Sequence, residues 1–388
     1  MFISEVSPVA FDAPWVKSFD ERMMMLRRGS PRAAYFYETP DTSTFRYRIY
    51  NVCQSLAADP AGASASWFHL GDLEHMDRVF AQCDVFILCR TRYDDRIARM
   101  VGRARARGLP VLFDCDDLIF DVAHAHTLMD TLGENLSLTQ SWDTWFGHIA
   151  RQGQTMRLCD SAIVTNSFLA ARAEAFMGKP ARIIPNYINQ EQAEISRAVW
   201  DAKEANNWAG DGRIHIGYFS GSPSHNRDFA LVSGALGRLM DEDDRITLRV
   251  VGFLDSVGPD LQRHGSRIES IPLQDFINLQ REIGQVEINI VPLQDNIFTN
   301  CKSNLKWFEA AVTGSLTIAA PSYTFREVIR HGENGWLAPV QRWGAIMQEV
   351  IAMPIEAQRL VASQAREDAE RLYGWRHQSD IIKQALFT

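Results

Sequence analysis

The 388-residue sequence contains no C-x-x-C pair. Its six cysteines stand at 53, 83, 89, 115, 159 and 301, mostly inside apolar runs. That distribution excludes the common zinc and dithiol patterns and fits reduced core thiols of a cytosolic protein, not a disulfide framework. No apolar run reaches the ~18 residues that span a bilayer. The N-terminus, with Asp12, Asp20 and Glu21, lacks the charged start and apolar core of a signal peptide. An excess of positive charge is also missing. Lys and Arg number 40 against 48 Asp and Glu, a net charge of −8, which argues against nucleic acid as a partner while leaving room for a local basic cleft. The GxxxxGK[ST] phosphate loop is absent, as are low-complexity tracts and repeats of solenoid period.

What is present is a globular composition, 46% apolar and 23% charged, and enough length for two domains. Short apolar segments alternate with helical ones, the mark of parallel sheets. Strands are expected at Ala33–Tyr37, Ala65–Leu70, Asp84–Cys89, Pro110–Phe113, Ser161–Thr165 and Arg182–Pro185, with helices such as Tyr47–Ala57 and Arg92–Arg107 between them. A polar, helix-prone stretch runs from Gln190 to Asn207, and strands resume at Ile214, Ile246, Arg267, Glu287 and Leu316. The expected fold class is α/β, with two doubly wound parallel-sheet domains over residues 1–190 and 213–373, a linker at 191–212 and a cleft between facing strand ends. The first 30 residues, with Met23-Met-Met-Leu26, are expected to pack on the domain or on a partner, membrane contact being the alternative.

The run Lys302-Ser-Asn-Leu-Lys-Trp-Phe-Glu-Ala-Ala-Val-Thr-Gly314 carries the most chemistry. Leu305, Phe308 and Val312 recur at helical spacing and predict a core face. Lys302, Lys306, Glu309 and Thr313 fall on another. Two lysines four residues apart repel, and an anion between them relieves that cost. Glu309 suits the hydroxyls of a polyol, so phosphate near the first turn and sugar further along describe a nucleotide diphosphate sugar. The plain alternative is a solvated helix with a Lys306–Glu309 pair. Upstream, Gly221-Ser-Pro-Ser-His-Asn-Arg-Asp-Phe229 follows a strand and opens a helix, a geometry that offers backbone N–H groups to phosphate.

Glu309-Ala-Ala…Gly314, the strand Leu316-Thr-Ile-Ala-Ala-Pro321 and Glu327…His331-Gly-Glu-Asn-Gly-Trp-Leu337 together resemble the C-terminal signature of retaining GT-B glycosyltransferases of family four. The match extends upstream to Ile214-His-Ile-Gly-Tyr-Phe-Ser-Gly221 and Ile246-Thr-Leu-Arg-Val-Val-Gly252, and is strongest over the C-terminal half. The resemblance implies a GT-B fold of two Rossmann-like domains, with a C-terminal helix at about 374–388 crossing back onto the first domain. It further implies a nucleotide-sugar donor as co-substrate, no other cofactor and no metal.

The residue reading and the resemblance together give Gly221, Ser222, Arg227, Lys302, Ser303, Asn304, Leu305, Lys306, Glu309 and Asn186 as donor-binding. Ser222 stands where the family has arginine, Arg227 where it has lysine, and Cys301 where it has the first of two glutamates; Lys302 lies beside it. Arg227 and Lys302 would stabilise the departing diphosphate, and His124 would stand near the transferred sugar. On the acceptor side the candidates are Arg46, Arg48, Asp116, Asp117 and His126; the two arginines also admit a donor phosphate or a solvated helix start, and Arg90 is a further cation of that kind at a strand end. The carboxylates of Phe113-Asp-Cys-Asp-Asp-Leu-Ile-Phe-Asp121 admit either a divalent cation or acceptor positioning and helix capping. The activity expected is retaining transfer of a sugar to a glycan or lipid-linked glycan, in the cytoplasm or peripherally on the inner membrane face. A nucleotide-sugar epimerase and a catalytically silent binding subunit stand as alternatives, and oligomeric state is not legible.

Overall fold

The computed structural model describes residues 6–60, 62–221 and 226–388. The first sheet holds β1 (Arg32–Phe36), β2 (Ser64–Phe68), β3 (Val85–Cys89), β4 (Val111–Asp114), β5 (Ser161–Val164) and β6 (Ala181–Ile183) in the order β2-β1-β3-β4-β5-β6. The second holds β7 (Ile214–Ser220), β8 (Ile246–Gly252), β9 (Ile268–Ile271), β10 (Ile288–Val291), β11 (Leu316–Ala319) and β12 (Trp336–Leu337) in the order β12-β11-β10-β7-β8-β9. Pairing is parallel throughout, so helices cover both faces and most strands are buried on both sides. That is why β3 reads as an unbroken Val-Phe-Ile-Leu-Cys run with all five residues buried. Strand order reverses between β1 and β3 and again between β7 and β10, the places where doubly wound sheets open a crevice.

Strand and helix ends differ from the expected ones by a few residues, for local reasons. The helix expected from Arg92 begins at Asp95, because the Asp94 carboxylate caps the Ile97 N–H at 3.0 Å. The helix expected from Tyr47 is preceded by a π-helical turn, Arg46–Tyr50, in which every residue is buried. The expected linker is the helix Gln190–Ala205, opened by a capping box between Asn189 and Gln192. Its Trp200, with Trp208 beyond it, belongs to the core of the second domain.

The domains are joined side by side at Ile188 and Tyr373, where the Ile188 N–H donates to the Tyr373 carbonyl at 2.9 Å. Beyond that point the helix Ser379–Phe387 lies on the first domain. Ile382, Ala385 and Leu386 join its core, Arg182 donates to the Ala385 carbonyl at 2.9 Å, and Lys383 pairs with Asp59 at 2.8 Å. The N-terminal segment makes the converse crossing. Val9 and Asn278 exchange hydrogen bonds of 3.0 and 2.9 Å, and Phe11 and Trp15 pack on Phe276 of the second domain. In the helix Phe19–Leu26, Met23 and Leu26 are buried on the first domain, and Met24 faces solvent.

Arg48, expected to meet the acceptor, is instead fully buried and its donors are spent within the fold. It reaches Asp114 through Nε at 2.7 Å and Nη2 at 3.1 Å, and donates from Nη1 to the Ile184 carbonyl at 2.6 Å and to Asn186 Oδ1 at 3.1 Å. Burial pushes the Asp114 carboxyl up to about 6, against the pull of the guanidinium. Removing one partner of a buried pair strands the other. Arg48→Met is therefore expected to cost about 3–5 kcal/mol in denaturant unfolding, and Arg48→Met with Asp114→Leu to recover most of it. Equal stability of the single variant and the parent would refute a structural role.

Candidate functional site

Between the domains lies a cavity of about 670 Å³. Its walls come from segments at the carboxyl ends of strands in both sheets: Thr42–Thr44 after β1, Arg90 after β3, Asp116 and Asp117 after β4, Asn186 after β6, and Ser220 and Gly221 at the end of β7. Lys302, Ser303, Leu305, Lys306 and Glu309 complete the wall on the second domain. The helix itself is Leu305–Ala311, shorter than the expected run. Lys302 and Ser303 lie in the turn before it, and Thr313 is buried after it. Gly314 takes the left-handed φ of +78° that ends the segment. Phe308 and Val312 are core, whereas Leu305 faces the cavity.

Glu309 is 3% exposed, which removes the solvated-face reading. Its carboxylate accepts from the Tyr47 hydroxyl and from Gln192 Nε2 at 3.0 Å, and Arg46 Nη2 lies 3.8 Å away. Arg46 in turn donates to Gln192 Oε1 at 2.8 Å and stacks over the Tyr47 ring at 3.9 Å. A carboxylate of one domain is thus held by a tyrosine and an arginine of the other. Lys306 is half-buried, 5.4 Å over the Tyr218 ring. Burial lowers it to about 8, against the pull of Asp228 and with a further push from Lys302. Lys302 Nζ faces Asp117 Oδ1 at 3.9 Å and Phe298 at 4.6 Å.

Across the cavity, Arg90 takes a left-handed φ of +43°, a strained backbone for a residue with a side chain. Its Nε lies 2.6 Å from Asp116 Oδ1 without hydrogen-bond alignment, so that contact is coulombic, and its Nη2 donates to Asp117 Oδ2 at 2.5 Å. Burial raises the Asp116 carboxyl, Arg90 opposing and Asp117 adding to the rise. Among the described residues no three His, Cys, Asp or Glu side chains gather in a metal-ligating cluster.

Several expected residues lie elsewhere. Arg227 is about half exposed and pairs with Asp130 of the first domain, outside the residues that line the cavity, because its side chain crosses to the helix Ala125–Thr131. His124 faces Asp121, and His126 is exposed beside Trp142; neither lines the cavity. Among the described residues the histidine that does is His148, bonded to Gln152 at 2.7 Å, with its basicity lowered by burial and then by Arg92 and Arg90. Asn304 turns its amide away to the Tyr373 hydroxyl at 2.6 Å. Asn186 lines the cavity while accepting from Arg48. Cys301 is fully buried, and burial pushes its thiol up to about 12. Ser222 lies outside the described residues. Tyr47, Gln192 and His148 carry no motif; the only sequence signal was Tyr47's place between Arg46 and Arg48.

No family model and no curated protein matches the chain. Solved structures do. HepE of Anabaena, in complex with UDP and glucose, superposes with a TM-score of 0.60 at 13% identity, over 91% of this chain and 98% of that one. Sucrose-phosphate synthase of Thermosynechococcus elongatus gives 0.58 at 15% identity over 91% and 96%, and a glycosyltransferase of Rickettsia africae 0.60 at 11% over 91% and 98%. At such identities the likeness speaks to architecture, and the architecture is GT-B: two Rossmann-like domains, each a six-stranded parallel sheet flanked by helices.

Proposed function

We propose that the chain is a retaining, metal-independent glycosyltransferase that moves a sugar from a nucleotide diphosphate sugar to a hydroxyl of a glycan or lipid-linked glycan. The observation that carries this reading is the convergence of Lys302, Lys306 and Glu309 on one wall of a cavity that opens at the carboxyl ends of both sheets. HepE solved with UDP and with UDP-glucose makes uridine diphosphate the first nucleotide to try. In this reading Lys302 and Lys306 stabilise the charge that develops on the departing diphosphate. The bond from the anomeric carbon to the diphosphate oxygen breaks, the acceptor oxygen bonds to that carbon on the same face, and the hydroxyl proton passes to the departing phosphate. Glu309 accepts from the ribose hydroxyls once the Tyr47 hydroxyl has yielded them its place. Asp116 and Asp117, balanced by Arg90, orient the acceptor hydroxyl, and closure of the domains excludes water. The buried Cys301 brings no carboxylate to the sugar, which favours a silent nucleotide-binding subunit as the second reading; release of nucleotide from donor in the presence of acceptor separates the two.

Each lysine–phosphate contact is expected to contribute about 1.5–3 kcal/mol. Lys302→Ala and Lys306→Ala should each weaken UDP binding by about tenfold or more in calorimetry. Because Lys306 titrates at about 8, affinity should fall between pH 7 and 9 as its charge is lost. Binding there should take up protons, since the diphosphate raises that value, and Lys306→Ala should flatten the profile. A loss under about threefold in both variants would refute the assignment. Glu309→Gln should also weaken UDP by about tenfold through lost charge-assisted bonds to ribose; unchanged affinity would leave Glu309 as a strut to Tyr47. Transfer should persist in EDTA, because Arg90 already pairs with both Asp116 and Asp117. Loss on chelation with rescue by manganese would reassign those carboxylates as metal ligands.

A further inference from the structure

The first-domain end of the cavity has a chemistry of its own. Ile119, Leu128, Leu132 and Trp145 line it, the first two buried and the others half-buried. This apolar surface continues outward. Trp145 stands on the helix Thr139–Leu158, and Leu138, which precedes the helix, and Phe146 are 52% and 46% exposed. With Trp142 these residues recur at the spacing of one helix face. An apolar strip thus runs from the cavity floor at Leu128 to solvent at Leu138 and Phe146.

The cations near this strip are held by carboxylates or carbonyls, which disfavours an anion as ligand. Glu134 lines the cavity two residues from Leu132, and Asp116 and Asp117 close the same end. The cations there are engaged: Arg90 and Lys302 face those two aspartates, Arg92 pairs with Glu38, Arg227 pairs with Asp130, and Arg151 donates to the Tyr93 carbonyl. His148, 5.9 Å from Trp145, has its basicity lowered by burial and so adds no charge near neutral pH.

We propose that the non-reacting part of the acceptor is an uncharged alkyl or aryl group seated on Ile119, Leu128, Leu132 and Trp145, with the reacting hydroxyl directed to Asp116 and Asp117. The inference rests on the transfer reading and names its acceptor class, a hydrophobic glycoside or neutral glycolipid in place of a phosphate-linked lipid. Each methylene laid on this floor leaves water and gains affinity. A phosphate brought to it loses hydration with carboxylates as its nearest charges.

The test titrates the full chain with octyl β-D-glucopyranoside below its micellar concentration, methyl β-D-glucopyranoside and octyl phosphate, followed by tryptophan fluorescence and calorimetry. The octyl glucoside should bind about tenfold or more tighter than the methyl glucoside, and tighter than octyl phosphate. Trp145→Ala should cut the octyl preference to below about threefold, and Leu132→Asn should do the same if the tryptophan variant does not fold. Equal binding of the two glucosides, tightest binding of octyl phosphate, or a preference untouched by the substitutions would overturn the proposal. UDP titrated into the same parent protein keeps the two readings apart. UDP binding without an octyl preference overturns the apolar subsite alone, whereas an octyl preference without UDP binding overturns the transfer reading.

Discussion

The guanidinium of Arg48, locked in the first domain, fixes the geometry on which the cavity is built. One side chain joins three elements, the π-helical turn Arg46–Tyr50, the end of β4 at Asp114, and the exit of β6 at Ile184 and Asn186. Because it is buried with its carboxylate partner, it cannot drift without stranding a charge. The widened turn that Arg48 anchors also sets its two predecessors. Arg46 and Tyr47 project across the cleft to Gln192 and Glu309 of the opposite wall. The register of the two domains is thus held by a chain of contacts that begins at an ion pair remote from solvent.

Two electrostatic regimes share one cavity. On the second-domain wall Lys302 and Lys306 lie four residues apart, and burial makes the second charge costly enough to lower Lys306 to about 8. An anion placed there relieves both the repulsion and the desolvation. On the opposite wall the carboxylates of Asp116 and Asp117 are adjacent, with Arg90 held between them by a strained backbone. Strain of this kind persists where neighbouring structure imposes it, commonly at a functional site. The apolar side chains Ile119, Leu128, Leu132 and Trp145 line the first-domain side of the same cavity.

Much of this was legible in the sequence, for identifiable reasons. Doubly buried parallel strands read as unbroken apolar runs, so β3, β4 and β10 were placed within a residue or two. The turn and helix containing Lys302, Lys306 and Glu309 follow β10 closely, so their place on the cavity wall follows from local chain geometry. Long-range facts were not legible. Arg46 and Arg48 stand two positions apart in one turn, yet one lines the cavity and the other is sealed in the core. Only packing against β4 and β6 separates them. His148 sits mid-helix with no neighbouring motif, and its approach to the cavity depends on how that helix packs against β4 and the helix Ala125–Thr131. Polar composition made residues 191–212 resemble a tether, although a few large side chains, Trp200 and Trp208, suffice to dock them. Arg227 misled for a related reason. Its partner in the structure, Asp130, comes from the other domain and could not be read from the loop in which Arg227 stands.

The exchange of chain ends between domains has a bearing on biosynthesis. The helix Asn51–Ala57 and the edge strand β6 are laid down early, yet the residues that cover them, Ile382, Ala385 and Leu386, leave the ribosome more than three hundred positions after the helix. Until then the first domain carries an uncovered apolar flank, the kind of surface on which nascent chains associate. The first domain is consequently completed only after the second has been synthesised.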